Sequence, residues 1–334
     1  MVYNKIVVVG AGIVGINTAL ELQRVYPNIK ITIIADKFNS ETLSDGAAGI
    51  FRPGTYCFGP SFEISQEWIN DSYNFYKSFL NNEPCGINEI SGYMFSETLN
   101  DTTKNHYLEK CLPEYRKATE DELKLYSHNN RIKKCGSFFT TITIESKLFL
   151  PWALKKFINN GGEIIKKKIQ SFDDICEKFN VIFNCSGLEA ANLCNDNDMI
   201  PIRGQVIRVK APWIDKFYYN DMDTYIIPSK EDGTVVLGGC RDFGNYDTTI
   251  QNRVTEQIIE NCTNLIPSLK EAFNSEYKIW VGLRPYRYRI RVEAEHFKNA
   301  MIIHNYGHGG YGVTLAPGTA KYAVKLLCYL HSNL

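Results

Sequence analysis

A glycine triplet set between two apolar runs constrains this chain more than any other feature. Lys5-Ile-Val-Val-Val-Gly10 is a continuous β-branched stretch, the pattern of a strand covered on both faces. Gly10-Ala11-Gly12-Ile13-Val14-Gly15 follows at once, and Ile16, Ala19 and Leu20 continue at helical spacing toward Pro27. A second apolar run, Lys30-Ile-Thr-Ile-Ile-Ala35, ends at Asp36. Strand, glycine turn, helix, strand and acid make one dinucleotide-binding unit. Gly10 allows the tight turn, Gly12 lets the backbone approach a pyrophosphate, and Gly15 lets the helix close on the sheet. The helix start offers unpaired N–H groups and a positive dipole end to phosphates. Asp36, about 20 positions beyond Gly15, would accept the ribose hydroxyls. The motif suits NAD and FAD alike.

The rest of the composition narrows the partners. The 334 residues carry 37 Lys+Arg against 37 Asp+Glu, a net charge of zero, which argues against nucleic-acid or membrane-surface binding. The length suits about two domains, and 18 Phe, 20 Tyr and 4 Trp argue against disorder. No apolar run approaches the ~18–20 residues of a membrane span. The run after Lys5 is too short for a signal peptide, so no secretory route is expected. The 10 Cys show no Cys-x-x-Cys pair and the six His no ligand spacing, so buried, inert thiols and no metal are expected.

Further along, residues 40–55 form a small-residue, glycine-rich loop suited to backbone passing close to a flat cofactor. Residues 60–135 show only a helical pattern at 68–79. A helix is expected over 147–157, with Pro151 near its first turn and a stop at Asn159-Asn-Gly-Gly162. Val181-Ile-Phe-Asn-Cys-Ser-Gly187 reads as a return to the parallel sheet. Strands at 205–209, 225–227, 234–237 and 280–283, with a helix over 252–274, read as an antiparallel sheet inserted into the first unit. Met301-Ile-Ile-His304 is a further strand, and the glycine-dense turn 305–312 opens a helix over 313–330, broken at Pro317-Gly318. That second turn sets more N–H donors beside the cofactor. A reduced flavin, which gains negative charge, needs them.

Six blocks together resemble the D-amino acid oxidases. They are Gly10–Gly15 with Asp36, Asp45-Gly-Ala-Ala-Gly49, Arg203-Gly-Gln205, Tyr225-Ile-Ile-Pro228, Leu283-Arg-Pro285 and His304-Asn-Tyr-Gly-His-Gly-Gly-Tyr-Gly312. They stand in family order over nearly the whole chain. The resemblance implies an FAD flavoprotein that oxidises D-amino acids to imino acids and returns the electrons to O2 as H2O2. It implies an α/β fold in which a Rossmann-like FAD-binding domain (1–55, 145–200 and 285–334) interleaves with an antiparallel-sheet substrate domain (56–144 and 201–284).

Residue roles follow from the matched blocks. By resemblance, Arg284 binds the substrate α-carboxylate, Tyr225 hydrogen-bonds it, and the Gly310 carbonyl receives the amine. The matching FAD positions are Gly10, Ala11, Gly12, Ile13, Val14, Gly15, Asp36, Lys37, Thr42, Ser44, Ala48, Gly49, Ile50, Ile169, Ser186, Gly309, Gly310, Tyr311, Gly312, Val313 and Thr314. Gly238-Gly-Cys-Arg241 and Val281-Gly-Leu-Arg-Pro-Tyr-Arg287 look like the D-aspartate oxidase branch, where an arginine at position 241 recognises the side-chain carboxylate. Oxidases of neutral D-amino acids carry a second tyrosine four positions before the first; Asp221 stands there. Another side-chain-binding arginine of the branch falls where this chain has Tyr218, with Tyr219 next, and Arg52 is a further candidate to replace it. The expected substrates are D-aspartate, D-glutamate and N-methyl-D-aspartate, with neutral D-amino acids or glycine- and sarcosine-type amines as the alternative. A tyrosine hydroxyl of pKa ~10 between two substrate anions makes a poor general base. Ser332-Asn333-Leu334 resembles a variant C-terminal peroxisomal targeting tripeptide, read by an import receptor, so the peroxisome is expected, with the cytoplasm as alternative.

Overall fold

The computed structural model describes residues 5–80, 83–98, 103–127, 131–220 and 223–332, with side chains through 329. The run after Lys5 forms the strand Ile6–Val9, buried along its whole length. It lies inside a six-stranded sheet ordered Ala294–Phe297, Ala300–His304, Val181–Asn184, Ile6–Val9, Ile31–Ala35 and Glu163–Lys166. Neighbours pair in parallel except for the outer hairpin of Ala294–Phe297 with Ala300–His304. Both faces are covered, which is why the run does not alternate with polar residues. Ile6, Val8 and Ile33 join a core with the helices Ile13–Val25 and Gly312–Ser332, while Val7, Val9 and Ile34 pack on Ile169, Phe172 and Ile175.

The second sheet has ten strands and is mostly antiparallel, with one parallel pairing of Ile87–Ser96 against Phe217–Asn220. The strands expected in the middle of the chain are Ile200–Lys210, Thr224–Pro228, Thr234–Gly238 and Lys278–Arg291. The last runs past residue 284 without a break, and Tyr306–His308 returns to pair with it. The main core spans both sheets, joining Ile6 and Phe183 to Ile142, Phe217 and Ile290.

Three helices differ from expectation. The segment expected as one helix over 252–274 is an α-helix, Asn252–Leu265, and then a 3-10 turn, Pro267–Asn274, because Pro267 has no N–H to continue the first. Pro151 lies in the interior of the helix Ser146–Asn159 rather than near its first turn. The C-terminal helix Gly312–Ser332 passes Pro317 unbroken. Proline removes a donor from the carbonyl four residues back, here Val313. The Tyr76 hydroxyl donates to that carbonyl at 2.7 Å, and the Gly318 N–H donates to Ser72 Oγ at 2.8 Å. Both partners come from the helix Phe62–Lys77. A Cβ on Gly318 would stand 1.9 Å from the Trp68 carbonyl oxygen, so glycine is what lets the two helices touch.

Candidate active site

The first glycine turn is built as its spacing requires. Gly10 has φ +103°, and a Cβ there would meet the Cys185 carbonyl oxygen at 2.4 Å. A Cβ on Gly15 would lie 2.0 Å from the Gly10 carbonyl oxygen, so only glycine lets the helix sit on the turn. Gly12 caps that helix with no side-chain bond of its own, and Ser44 Oγ accepts from the Ile13 N–H at 2.9 Å. Asp36 closes the next strand, half-buried, with no hydrogen-bonding partner among the described residues.

Two more loops converge on this turn. In residues 43–50, Gly49 has φ +72° and its carbonyl accepts from the Ile144 N–H at 2.8 Å, and Ile50 bridges to Thr143. Arg208, half-buried on Ile200–Lys210, donates to the Gly46 carbonyl at 3.0 Å. Burial lowers its pKa, and Asp45 works against that shift. The C-terminal turn Gly309–Tyr311 then brings Gly312 to Ile13, at 3.6 Å for a Cβ placed on it. Thr314 Oγ1 donates to the Ile50 carbonyl at 3.3 Å and accepts from the Arg52 N–H at 3.4 Å. Gly12, Ser44, Ala48 and Gly309 to Gly312 keep solvent access, while Ala11, Ile13, Gly15, Ile50, Val313 and Thr314 are buried behind them. Bare glycine backbone, two helix starts and an acid at the strand end are a donor set that fits FAD.

The remaining cofactor positions sit less directly. Lys37 is exposed, on the side of Glu41. Thr42 Oγ1 donates to the Asn39 carbonyl at 2.7 Å, and Ser186 Oγ to Asn184 Oδ1 at 2.6 Å. Ile169 is a core residue on the far face of the sheet.

Arg284, in the middle of Lys278–Arg291, comes together with Tyr225, Gly310 and Arg241. The Arg284 guanidinium lies flat on Gly204, where a Cβ would meet Nη2 at 2.3 Å, and it donates to the Cys240 carbonyl at 2.9 Å. A Cβ on Gly310 would be 3.4 Å from Arg284 Cδ. The Tyr225 ring rests on Gly238 and Gly239, joined by a cis peptide bond. Burial pushes the Tyr225 hydroxyl up to about 12 although Arg284 acts in the opposite direction, so it is a neutral donor at any ordinary pH. Arg241, next to the carbonyl that holds Arg284, pairs with Asp223.

Several residues here belong to no sequence motif. Tyr56 and Phe58 pack on Tyr311 at 5.7 and 5.2 Å between ring centroids. Burial raises the Tyr56 hydroxyl, and Tyr311 and Tyr286 add to the shift while Arg241 opposes it. Asp223 could have been found from the hairpin: Tyr225 pairs with Gly238, so a residue two before it comes near Cys240 and Arg241. Tyr218 and Tyr219 separate by strand alternation. Tyr218 faces away, stacked near Tyr93 with its hydroxyl 3.4 Å from Tyr126, whereas Tyr219 lies 5.7 Å from Tyr225. Asp221, Asn333 and Leu334 lie outside the described residues.

All ten cysteines are free. Four are buried, and burial pushes Cys185 and Cys262 up to about 12; six are only half-buried, against the expectation that all would be enclosed. No cluster of metal ligands occurs among the described residues, and no described helix is long and apolar enough to cross a membrane.

Residues 5–326 match the DAO family, described as FAD dependent oxidoreductase. The chain is 37% identical over 336 residues to a D-amino acid oxidase of Dugesia ryukyuensis, covering 96% of this chain and 97% of that one. It is 33% identical over 331 residues to the D-aspartate oxidase of Homo sapiens, covering 97% and 94%. An FAD-bound L-α-glycerophosphate oxidase of Mycoplasma pneumoniae shares the fold, with a TM-score of 0.77 over 97% of this chain and 94% of that one at 17% identity.

Proposed function

The chain belongs to the D-amino acid oxidase family of FAD-dependent oxidoreductases, and on that premise we propose that it oxidises acidic D-amino acids, D-aspartate first among them. The observation that carries this reading is the pairing of two guanidiniums on adjoining backbone. Arg284 is tied to the Cys240 carbonyl beside Tyr225, and Arg241, the next residue after Cys240, stands near Tyr56 and Tyr311. One cation suits an α-carboxylate, and a second nearby suits the side-chain carboxylate.

In this reading Arg284 presents its planar fork to the α-carboxylate and Tyr225 adds a neutral hydroxyl donor. The Gly310 carbonyl accepts from the substrate amine, and Arg241 turns toward the distal carboxylate. When bound, FAD supplies the two-electron acceptor, which O2 reoxidises with release of H2O2. The substrate loses the Cα hydrogen with its electron pair and one amine proton, giving an imino acid that water converts to a 2-oxo acid and ammonia. No side-chain base is needed: the chain binds, orients and excludes water.

A charged hydrogen bond is worth ~1.5–3 kcal/mol, and ~1.4 kcal/mol is one decade, so Arg241→Leu should lower kcat/KM on D-aspartate by roughly 10- to 100-fold. Steady-state peroxide release measures it, and an unchanged kcat/KM would remove Arg241 from the site. Oxidation of neutral D-amino acids is the second reading, favoured by Asp223, which already neutralises Arg241. We also propose peroxisomal import through Ser332-Asn333-Leu334. Deleting the tripeptide should leave the otherwise intact chain in the cytoplasm by fluorescence microscopy, and unchanged localisation would refute it.

A further inference from the structure

Arg52 follows the cofactor loop just beyond Ile50 and Phe51, and it and Arg241 both stand near the Tyr219 hydroxyl. The Arg52 guanidinium carbon stands 4.2 Å over the Tyr219 ring, and that ring lies 5.7 Å from Tyr225. The Nε of Arg52 is buried with no hydrogen-bond acceptor, while the guanidinium also hydrogen-bonds the Tyr219 hydroxyl; no carboxylate pairs with the side chain among the described residues. A neutral hydroxyl offsets only part of the desolvation of a guanidinium, so the free Nε suits an anion, and no carboxylate among the described residues supplies one.

The charge balance around these arginines points the same way. Arg241 is matched by Asp223, so of the two cations invoked above only Arg284 carries a charge free of a carboxylate. A substrate with two carboxylates would leave one of them sharing Arg241 with Asp223. Arg52 restores the missing positive charge. Tyr219 connects the two arginines: Arg52 and Arg241 both act on its hydroxyl against the effect of burial. Tyr218 is unavailable for the task because it points into the other core.

We infer that Arg52 is a second anchor for the side-chain carboxylate of an acidic D-amino acid, delivered by the cofactor loop rather than by the strand Phe217–Asn220. This rests on the acidic-substrate reading and names a selectivity residue within it. The contact with the Tyr219 ring and hydroxyl positions the guanidinium and leaves its Nε–H for a carboxylate.

The test uses FAD-loaded protein. In Arg52→Gln, the ratio of kcat/KM on D-aspartate to that on D-alanine should fall about tenfold or more, chiefly through KM. The dissociation constant of malonate, followed by perturbation of the flavin spectrum, should rise in step, with a much smaller change for propionate. Arg52→Lys keeps the charge without the planar fork and should fall between; it carries the test if the glutamine variant does not load FAD. An unchanged ratio and unchanged malonate affinity in these variants would overturn the assignment. So would equal losses on D-aspartate and D-alanine, the sign of a packing defect. A wild-type enzyme that prefers D-alanine would instead sink the acidic-substrate reading, whatever Arg52 does.

Discussion

Tyr225 separates two chemistries that one tyrosine in such a site could serve. Burial and its seat on Gly238 and Gly239 hold the hydroxyl proton on, with the pKa up to about 12. A group that stays protonated can donate to a carboxylate but cannot accept a proton in turnover. Tyr225→Phe should therefore lower kcat/KM by roughly tenfold through KM and leave the alkaline limb of the pH profile in place. Loss of that limb together with a collapse of kcat would mark Tyr225 as a base. At this scale the sequence was readable where a residue sits inside a motif, as Arg284 does between Gly282 and Pro285. Asp223, Arg52 and Arg208 act through partners far along the chain, brought close only by a hairpin, a ring and a crossing loop. Arg208 is one cation in a strand, and its bond to the loop at Gly46 makes it a strap.

Elements show what spacing can and cannot specify. The first strand, glycine turn, helix and second strand were legible because each residue's job is local: a positive φ, a close approach, a covered face. Gly15 makes this testable. Its Cβ would press on the Gly10 carbonyl, which is backbone and cannot rotate away. Gly15→Ala should cost about 1–3 kcal/mol, seen as a melting temperature lower by several degrees and weaker retention of FAD. Retention of both the melting temperature and the flavin would show that the turn has slack. The C-terminal helix is the opposite case. Pro317-Gly318 reads as a break, yet Tyr76 and Ser72, some 240 residues earlier, supply the bonds that the proline removes. Such compensation is tertiary and leaves no local mark.

The whole molecule joins a parallel sheet that carries the cofactor turns to a mostly antiparallel sheet that carries the arginines. Its zero net charge averages over unlike regions. Asp36 stands at the cofactor end, while Arg284, Arg241 and Arg52 gather around a few tyrosines. We propose that the cofactor and substrate domains meet there, close to the boundaries expected from sequence, with Lys278–Arg291 belonging wholly to the second sheet. Local excess within a neutral chain is what an anion-selective enzyme requires. The direct test is peroxide release by the purified, FAD-loaded protein on D-aspartate, D-glutamate, N-methyl-D-aspartate, D-alanine and L-aspartate. The account predicts kcat/KM on D-aspartate roughly 10- to 100-fold above D-alanine, with no turnover of L-aspartate. D-alanine oxidised as well as D-aspartate, or better, would contradict it.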